Sequence, residues 1–294
     1  MLRSHQHSAY FEPWLEFQQP IVRQLAFAVA SPNLLLHAPA ELQLKHAFEL
    51  HTNVEWQQHF ENYLPRLRQL DRASAELENF LQQLKSTRLG LRFEYLLYFW
   101  LLDQDYHPYQ LLGHSIQKIE GAKTRGELDF LLLNQDSKCI EHWEVALKYY
   151  LAEGNFLLQQ WFGLNRNDTL AKKLRHFTEK QFQFTDALGY NIERRVAVMK
   201  GQLYLPDHPN ISAIETIAPW INLQRRVGLW GTSIPTQSFY RLQRHEWLCP
   251  NATATALPAK WWTDGLYYQP ERQQFYMYRH PNLLLPGRSQ LNNI

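Results

Sequence analysis

Four side chains in this sequence have the types and spacing of a reactive site. Glu94 lies in RLGLRFEYLLYFWLLDQ, Asp129 in GELDFLLL, and Glu144 and Lys148 in CIEHWEVALKYYL. Each carboxylate interrupts an apolar run that reads as buried, where an unpartnered charge is expensive. Strand side chains alternate between faces, which puts Glu127, Asp129, Leu131 and Leu133 on one face of the first strand. The same rule puts His142, Glu144, Ala146 and Lys148 on one face of the next. The intervening NQDS has hairpin-turn chemistry, so antiparallel pairing sets Asp129 and Glu144 side by side. Adjacent carboxylates repel, and a hard divalent cation, Mg²⁺ or Mn²⁺, is the usual remedy. A lysine beside them would orient or deprotonate water and neutralise a phosphate, and Glu94 would complete the metal shell. The chemistry implied is metal-assisted hydrolysis. The plainer reading is a half-solvated sheet whose acids, Glu127 and Glu144, pair with Arg125 or Lys148.

The elements that must position these residues follow from periodicity. Residues 13 to 86 read as helical, with Leu77, Phe80, Leu81 and Leu84 at helix spacing. A buried helix is expected to begin near Ser86 and Thr87, either of which can cap it. Three strands follow, in LLGHSIQKI, GELDFLLL and CIEHWEVALKYYL. Next comes a helix in DTLAKKLRHFTEKQF, capped by Asp168 or Thr169, with Leu170, Leu174 and Phe177 on its apolar face. A fourth strand in RRVAVMKGQLYL completes an α/β layer arrangement. From Pro206 onward, short strand-like pieces rich in Trp and Tyr suggest an aromatic α+β extension. With no linker or repeat in sight, residues 1–294 read as one domain: a helical segment 1–86, a core 87–205 and a C-terminal lobe 206–294.

A helix with an inward Glu, a strand, GELDF, then an acid and a lysine on the following strand resembles the PD-(D/E)XK nuclease superfamily. GELDFLL followed by HWEVALKYYL is similar, more closely, to a bacterial family of unknown function grouped with that superfamily. The resemblance implies a restriction-endonuclease-like mixed-sheet core flanked by helices, a Mg²⁺ (or Mn²⁺) cofactor and hydrolysis of nucleic acid, DNA rather than RNA. It gives Asp129 the role of metal-bridging acid, Glu144 that of second acid, Lys148 that of lysine and Glu94 that of helix acid. One departure stands out: the superfamily's lysine usually follows its acid by two residues, where this chain has Ala146. Along a regular strand the Cα atoms of Glu144 and Lys148 are ~13 Å apart instead of ~6.6 Å. Either Lys148 leans back, or a bulge near Val145 shortens the gap, or the site binds nucleic acid without cutting it.

Other positions fill in the expectation. Arg125, directly before GELD, and a stripe of Lys173, His176 and Lys180 are candidate phosphate contacts, although charged outer helix faces are commonplace. His142, two residues before Glu144, is a possible base or ligand, but no Cys or His partners point to zinc. No phosphate-binding Gly-rich loop and no GxSxG elbow occurs, so nothing supports ATP use or serine hydrolysis. A formal net charge of +2 neither demands nor excludes a polyanion, two cysteines make no disulfide framework, and no segment has the length and hydropathy of a membrane span. A soluble cytoplasmic protein is the expectation, with homodimerisation left open. Ten Trp, 15 Tyr and 16 Phe suit an irregular core. A third reading, a carbohydrate-active protein, requires Trp220, Trp230, Trp247, Trp261 and Trp262 to be exposed around the acids.

Overall fold

The hairpin that carries GELD is built as its turn chemistry requires. In the computed structural model, which describes residues 10–121, 123–207 and 217–281, strands β2 (Lys123–Asn134) and β3 (Ile140–Ala152) pair antiparallel. The Asn134 side chain accepts from the backbone of Asp136 and Ser137, and Lys138 takes the left-handed conformation at φ 62°. Strand β1 (Tyr109–Glu120) flanks β2 antiparallel, with register shifts at Leu111/Gly113 and Lys118/Ile119. Two-residue β4 (Trp161–Phe162) adds to β3, and β5 (Asp186–Ala187) and β6 (Tyr190–Asn191) make a separate ribbon.

Strand β7 (Arg194–Pro206) lies parallel to β3, from Glu141↔Arg194 to Leu151↔Tyr204, without a register shift. No bulge at Val145 therefore shortens the distance from Glu144 to Lys148. Gly201 sits opposite Lys148 at φ 128°, and a Cβ built there would lie 1.9 Å from the Lys148 carbonyl oxygen. Only glycine lets the two backbones approach so closely. Gly201→Ala is expected to destabilise the protein by about 3 kcal/mol or more, read from the urea midpoint. An unchanged midpoint would contradict this packing.

The sheet does not stop where the core was expected to end. Strands β8 (Gly228–Gly231), β11 (Gln274–Tyr278), β10 (Gly265–Gln269) and β9 (Tyr240–Arg241) follow β7 in spatial order, so one mixed sheet runs β1-β2-β3-β7-β8-β11-β10-β9. The C-terminal residues described extend the central sheet and form no separate lobe; residues 1–9, 208–216 and 282–294 of the expected segments lie outside the described residues.

Helices cover both faces, and alternation along β3 assigns each side chain to one of them. Trp143, Val145 and Leu147 join Phe130, Leu132, Val196 and Val198 under α1 (Pro20–Ala30), α2 (Asn53–Arg72), α3 (Ala75–Gln82) and α4 (Leu89–Leu102). On the opposite face, Ala146, Tyr150, Ala197 and Met199 meet Leu170, Leu174 and Phe177 around α5 (Leu170–His176). Each such large apolar side chain contributes about 1.5–3 kcal/mol of burial free energy. Lys200 of β7 is fully buried over the Trp56 ring, and its ammonium donates to the carbonyls of Ala28 and Val29 at the C-terminal, negative end of α1.

Two local expectations need correction. Residues 31–52 are not helical: Leu34 donates to Met199, the Asn33 side chain accepts from Met199, and Glu49 bridges Val196, so the segment covers the free edge of β7. Helix α4 starts at Leu89 with Arg88 at its N-cap and no side-chain cap, while the Ser86 hydroxyl only accepts from the Arg88 backbone. Thr169 does cap α5, accepting from the Lys172 backbone.

Candidate functional site

The ladder between β2 and β3 ends at Phe130↔Trp143, and the next pair outward is Asp129 and Glu144. There side chains replace backbone pairing. Asp129 Oδ2 accepts from Val145 N at 2.8 Å, and Glu144 Oε1 lies 3.4 Å from Asp129 N. The two acids thus sit together where the strands part, as the period-two pattern and the hairpin predict.

Both carboxyls are displaced from their ordinary acidity. Burial, followed by the Glu144 charge, holds Asp129 well above the usual carboxylate range. Burial also pushes Glu144 up to about 8, against a pull from the Lys173 charge. Glu94 raises both. Near neutral pH Glu144 therefore favours its protonated form, and a bound cation would release that proton.

His142 donates the best-defined contact to the pair, with Nε2 2.7 Å from Glu144 Oε1. Burial drives its pKa down to about 3, so the imidazole is neutral and the contact is a hydrogen bond, not an ion pair. Its buried Nδ1 has no partner, which fits the tautomer with the proton on Nε2. His142 positions Glu144.

The lysine beside the acids differs from the expected one. Lys148 Nζ bonds Asp168 Oδ2 at 2.7 Å, so Asp168 holds it. Lys173 of α5 is the cation felt by both carboxylates, and burial lowers its pKa to about 8. Its Nζ donates to Gln181 Oε1 at 2.9 Å and lies 3.9 Å from the Phe177 ring centroid, and Gln181 Nε2 in turn donates to Glu144 Oε2. A π turn over Phe177–Gln181, closed by Phe182 N to Phe177 O, delivers Gln181 to this bridge. Nothing in the sequence signals that turn. Lys148→Ala is expected to cost no more than about 1 kcal/mol of stability, because its ion pair with Asp168 is partly exposed. A loss of several kcal/mol at the urea midpoint would contradict this placement.

The remaining expected residues fall as follows. Glu94, on α4, faces His114 of β1, with its Oε1 2.8 Å from Nε2, and His114 stacks against both Tyr98 and Phe130. His114 is a site neighbour that the sequence reading missed. His176 and Lys180 are exposed. The His176 pKa is lowered by partial burial and then by the charges of Lys173, Lys180 and Lys148, so these basic groups lie within electrostatic reach of His176. Arg125 occupies an exposed position of β2, while Glu127 accepts from the Ser115 hydroxyl. Among the described residues, no group of three or more His, Cys, Asp or Glu is arranged to hold a metal, so Glu94 does not complete a three-acid shell.

The aromatics are structural. Trp220, Trp230 and Trp247 are buried, Trp262 stacks on Tyr267 at 3.9 Å between centroids, and only Trp261 of the five is strongly exposed. The Trp-lined cleft demanded by the carbohydrate reading is not formed. Among the described residues, no helix is long and apolar enough to cross a membrane, and Cys139 and Cys249 are both free thiols.

A family model described as Domain of unknown function (DUF1853) matches residues 23–290. No curated protein and no solved structure matches the chain.

Proposed function

We propose that this chain, which belongs to the DUF1853 family, is a divalent-metal-dependent phosphodiesterase acting on nucleic acid. The observation that carries the proposal is the pair of adjacent, buried carboxyls, Asp129 and Glu144, beside a desolvated lysine at the fork of two strands. The chain order of helix, three antiparallel strands, helix and parallel strand supports the restriction-endonuclease-like reading of the core.

The donor set suits Mg²⁺ or Mn²⁺. Both acids offer hard oxygen, and Mg²⁺ is usually held by one or two carboxylates together with water and substrate phosphate, so a third protein acid is not required. Asp129 and Glu144 would hold the ion, and bound there it would supply charge neutralisation for the acids and the phosphate. The chain's own groups do the rest. His142 and Gln181 fix the two oxygens of Glu144, from opposite sides of the hydrogen-bond network. Lys173, when neutral, accepts a proton from the attacking water at Nζ. The water oxygen bonds to phosphorus, one ester P–O bond breaks, and the leaving oxygen is protonated from solvent. Lys148, His176 and Lys180 line the approach for a polyanion.

The test is cleavage of labelled single- and double-stranded DNA and RNA with Mg²⁺ or Mn²⁺, by wild type beside Asp129→Ala. Metal-dependent cleavage lost in the variant is the expected result. Equal cleavage by both proteins would remove the assignment, and tight binding without turnover would leave a nucleic-acid-binding protein in its place.

A further inference from the structure

A second anion site is suggested at the start of α4, in a cavity of about 700 Å³ whose lining includes Thr87, Arg88, Arg92, Arg244 and His245. Its three guanidinium groups, on Arg88, Arg92 and Arg244, have no carboxylate partner among the described residues, and those of Arg88 and Arg244 are exposed. Arg92 is partly buried, and its one hydrogen bond, from Nε to Gln24 Oε1 at 2.7 Å, is to a neutral group. Arg244 lies over the Trp247 ring at 4.1 Å, which fixes its plane. The nearest acid in sequence, Glu246, is committed elsewhere, accepting from Gln243 N and the Thr255 hydroxyl.

Without a counter-charge this arrangement costs stability. Arg88 and Arg92 are four residues apart at a helix start, where like charges repel. They also sit at the positive end of the helix dipole, and the first turn of α4 has no acidic residue to offset them. A partly buried guanidinium without a counter-charge adds to the cost. One dianion in the cavity would relieve all three, and guanidinium forks match phosphate oxygens in geometry. The volume lies within the range of small-molecule sites and exceeds what a bare phosphate fills.

We propose that this cavity binds the phosphomonoester of a nucleotide-sized ligand, supplied by a free nucleotide or by the 5′-phosphorylated end of a strand. The proposal does not rest on hydrolysis at Asp129 and Glu144. Binding is measured by calorimetry on the full chain, with EDTA at physiological salt, using AMP, adenosine, and one short oligonucleotide with a 5′-phosphate or a 5′-hydroxyl. At least one phosphorylated probe is expected to bind, at least tenfold more tightly than its unphosphorylated counterpart. Arg92→Gln and Arg244→Gln are each expected to weaken it tenfold or more, while Asp129→Asn leaves it unchanged. Thermal midpoints of the unliganded arginine variants at or above wild type would show that they fold. Binding of AMP alone assigns a free nucleotide, and binding of the phosphorylated strand alone assigns a strand end; both uphold the site. The proposal is overturned if no phosphorylated probe binds wild type, if phosphate confers no preference, or if the folded arginine variants bind as wild type does.

Discussion

Asp129→Asn is expected to do two opposite things: to reduce metal-dependent hydrolysis by ~10³-fold or more, and to raise the stability of the metal-free protein at pH 8 by about 1–3 kcal/mol. The first effect follows from removing an oxygen that would hold the metal. The second follows from burial, because the wild-type pair must either carry repelling charge or retain protons. The sign of the pH dependence can be worked through Glu144. Its folded pKa of about 8 exceeds its ordinary value of 4.5, so the folded state holds a proton that the unfolded chain has lost. Stability from this group is complete below about 4.5 and falls as pH rises toward 8, by up to roughly 5 kcal/mol at ~1.4 kcal/mol per unit. Lys173 acts in the other direction, since its lowered pKa makes its charge costly below about 8 and relieves that cost above. Urea titrations at pH 5 and pH 8 measure the Glu144 arm, and a third near pH 10 measures the Lys173 arm. A variant no more stable than wild type at pH 8 would mean that the acids are not in the electrostatic conflict described.

Lys173→Met is the second large effect, expected to slow hydrolysis by 10²- to 10³-fold, the usual contribution of a positioned acid or base. The variant keeps an unbranched side chain of similar length, so loss of packing over Phe177 is small. A lysine acting as base predicts that the wild-type rate increases with pH from 7 to 9 and that this slope disappears in the variant. Lys148→Met serves as the contrast, with a wild-type slope. If Lys148→Met proves the slower protein, the α5 lysine is a bystander and the strand lysine reaches the substrate after all.

The fold was legible where its signals are local. The NQDS turn, the Thr169 cap and the apolar triplet of α5 depend on neighbours a few residues apart, and all three took their expected form. Extension of the sheet through β8, β11, β10 and β9 was not legible, because parallel and long-range pairing leaves no mark on the spacing within a strand. The same holds for residues 31–52, whose hydrogen bonds go to a strand more than 140 residues away. Within the site, alternation and one hairpin sufficed to bring Asp129 and Glu144 together. They did not identify the cation. Strand spacing measured how far Lys148 would have to lean, yet it could not show that Asp168 holds that lysine, nor that a π turn links Lys173 through Gln181 to Glu144. Glu94 lies part-buried on α4, and its partner His114, brought over by the bulged β1, lay beyond reach of helix periodicity.

The most direct test of the central claim is a Mn²⁺ titration near pH 7.5, followed by the paramagnetic signal of the free ion, on wild type, Asp129→Asn and Glu144→Gln in the presence of a hydrolysis-resistant oligonucleotide. The account predicts saturable binding by wild type, accompanied by proton release, and loss of that binding in both variants. Mn²⁺ bound equally by all three proteins, or by none, would contradict it.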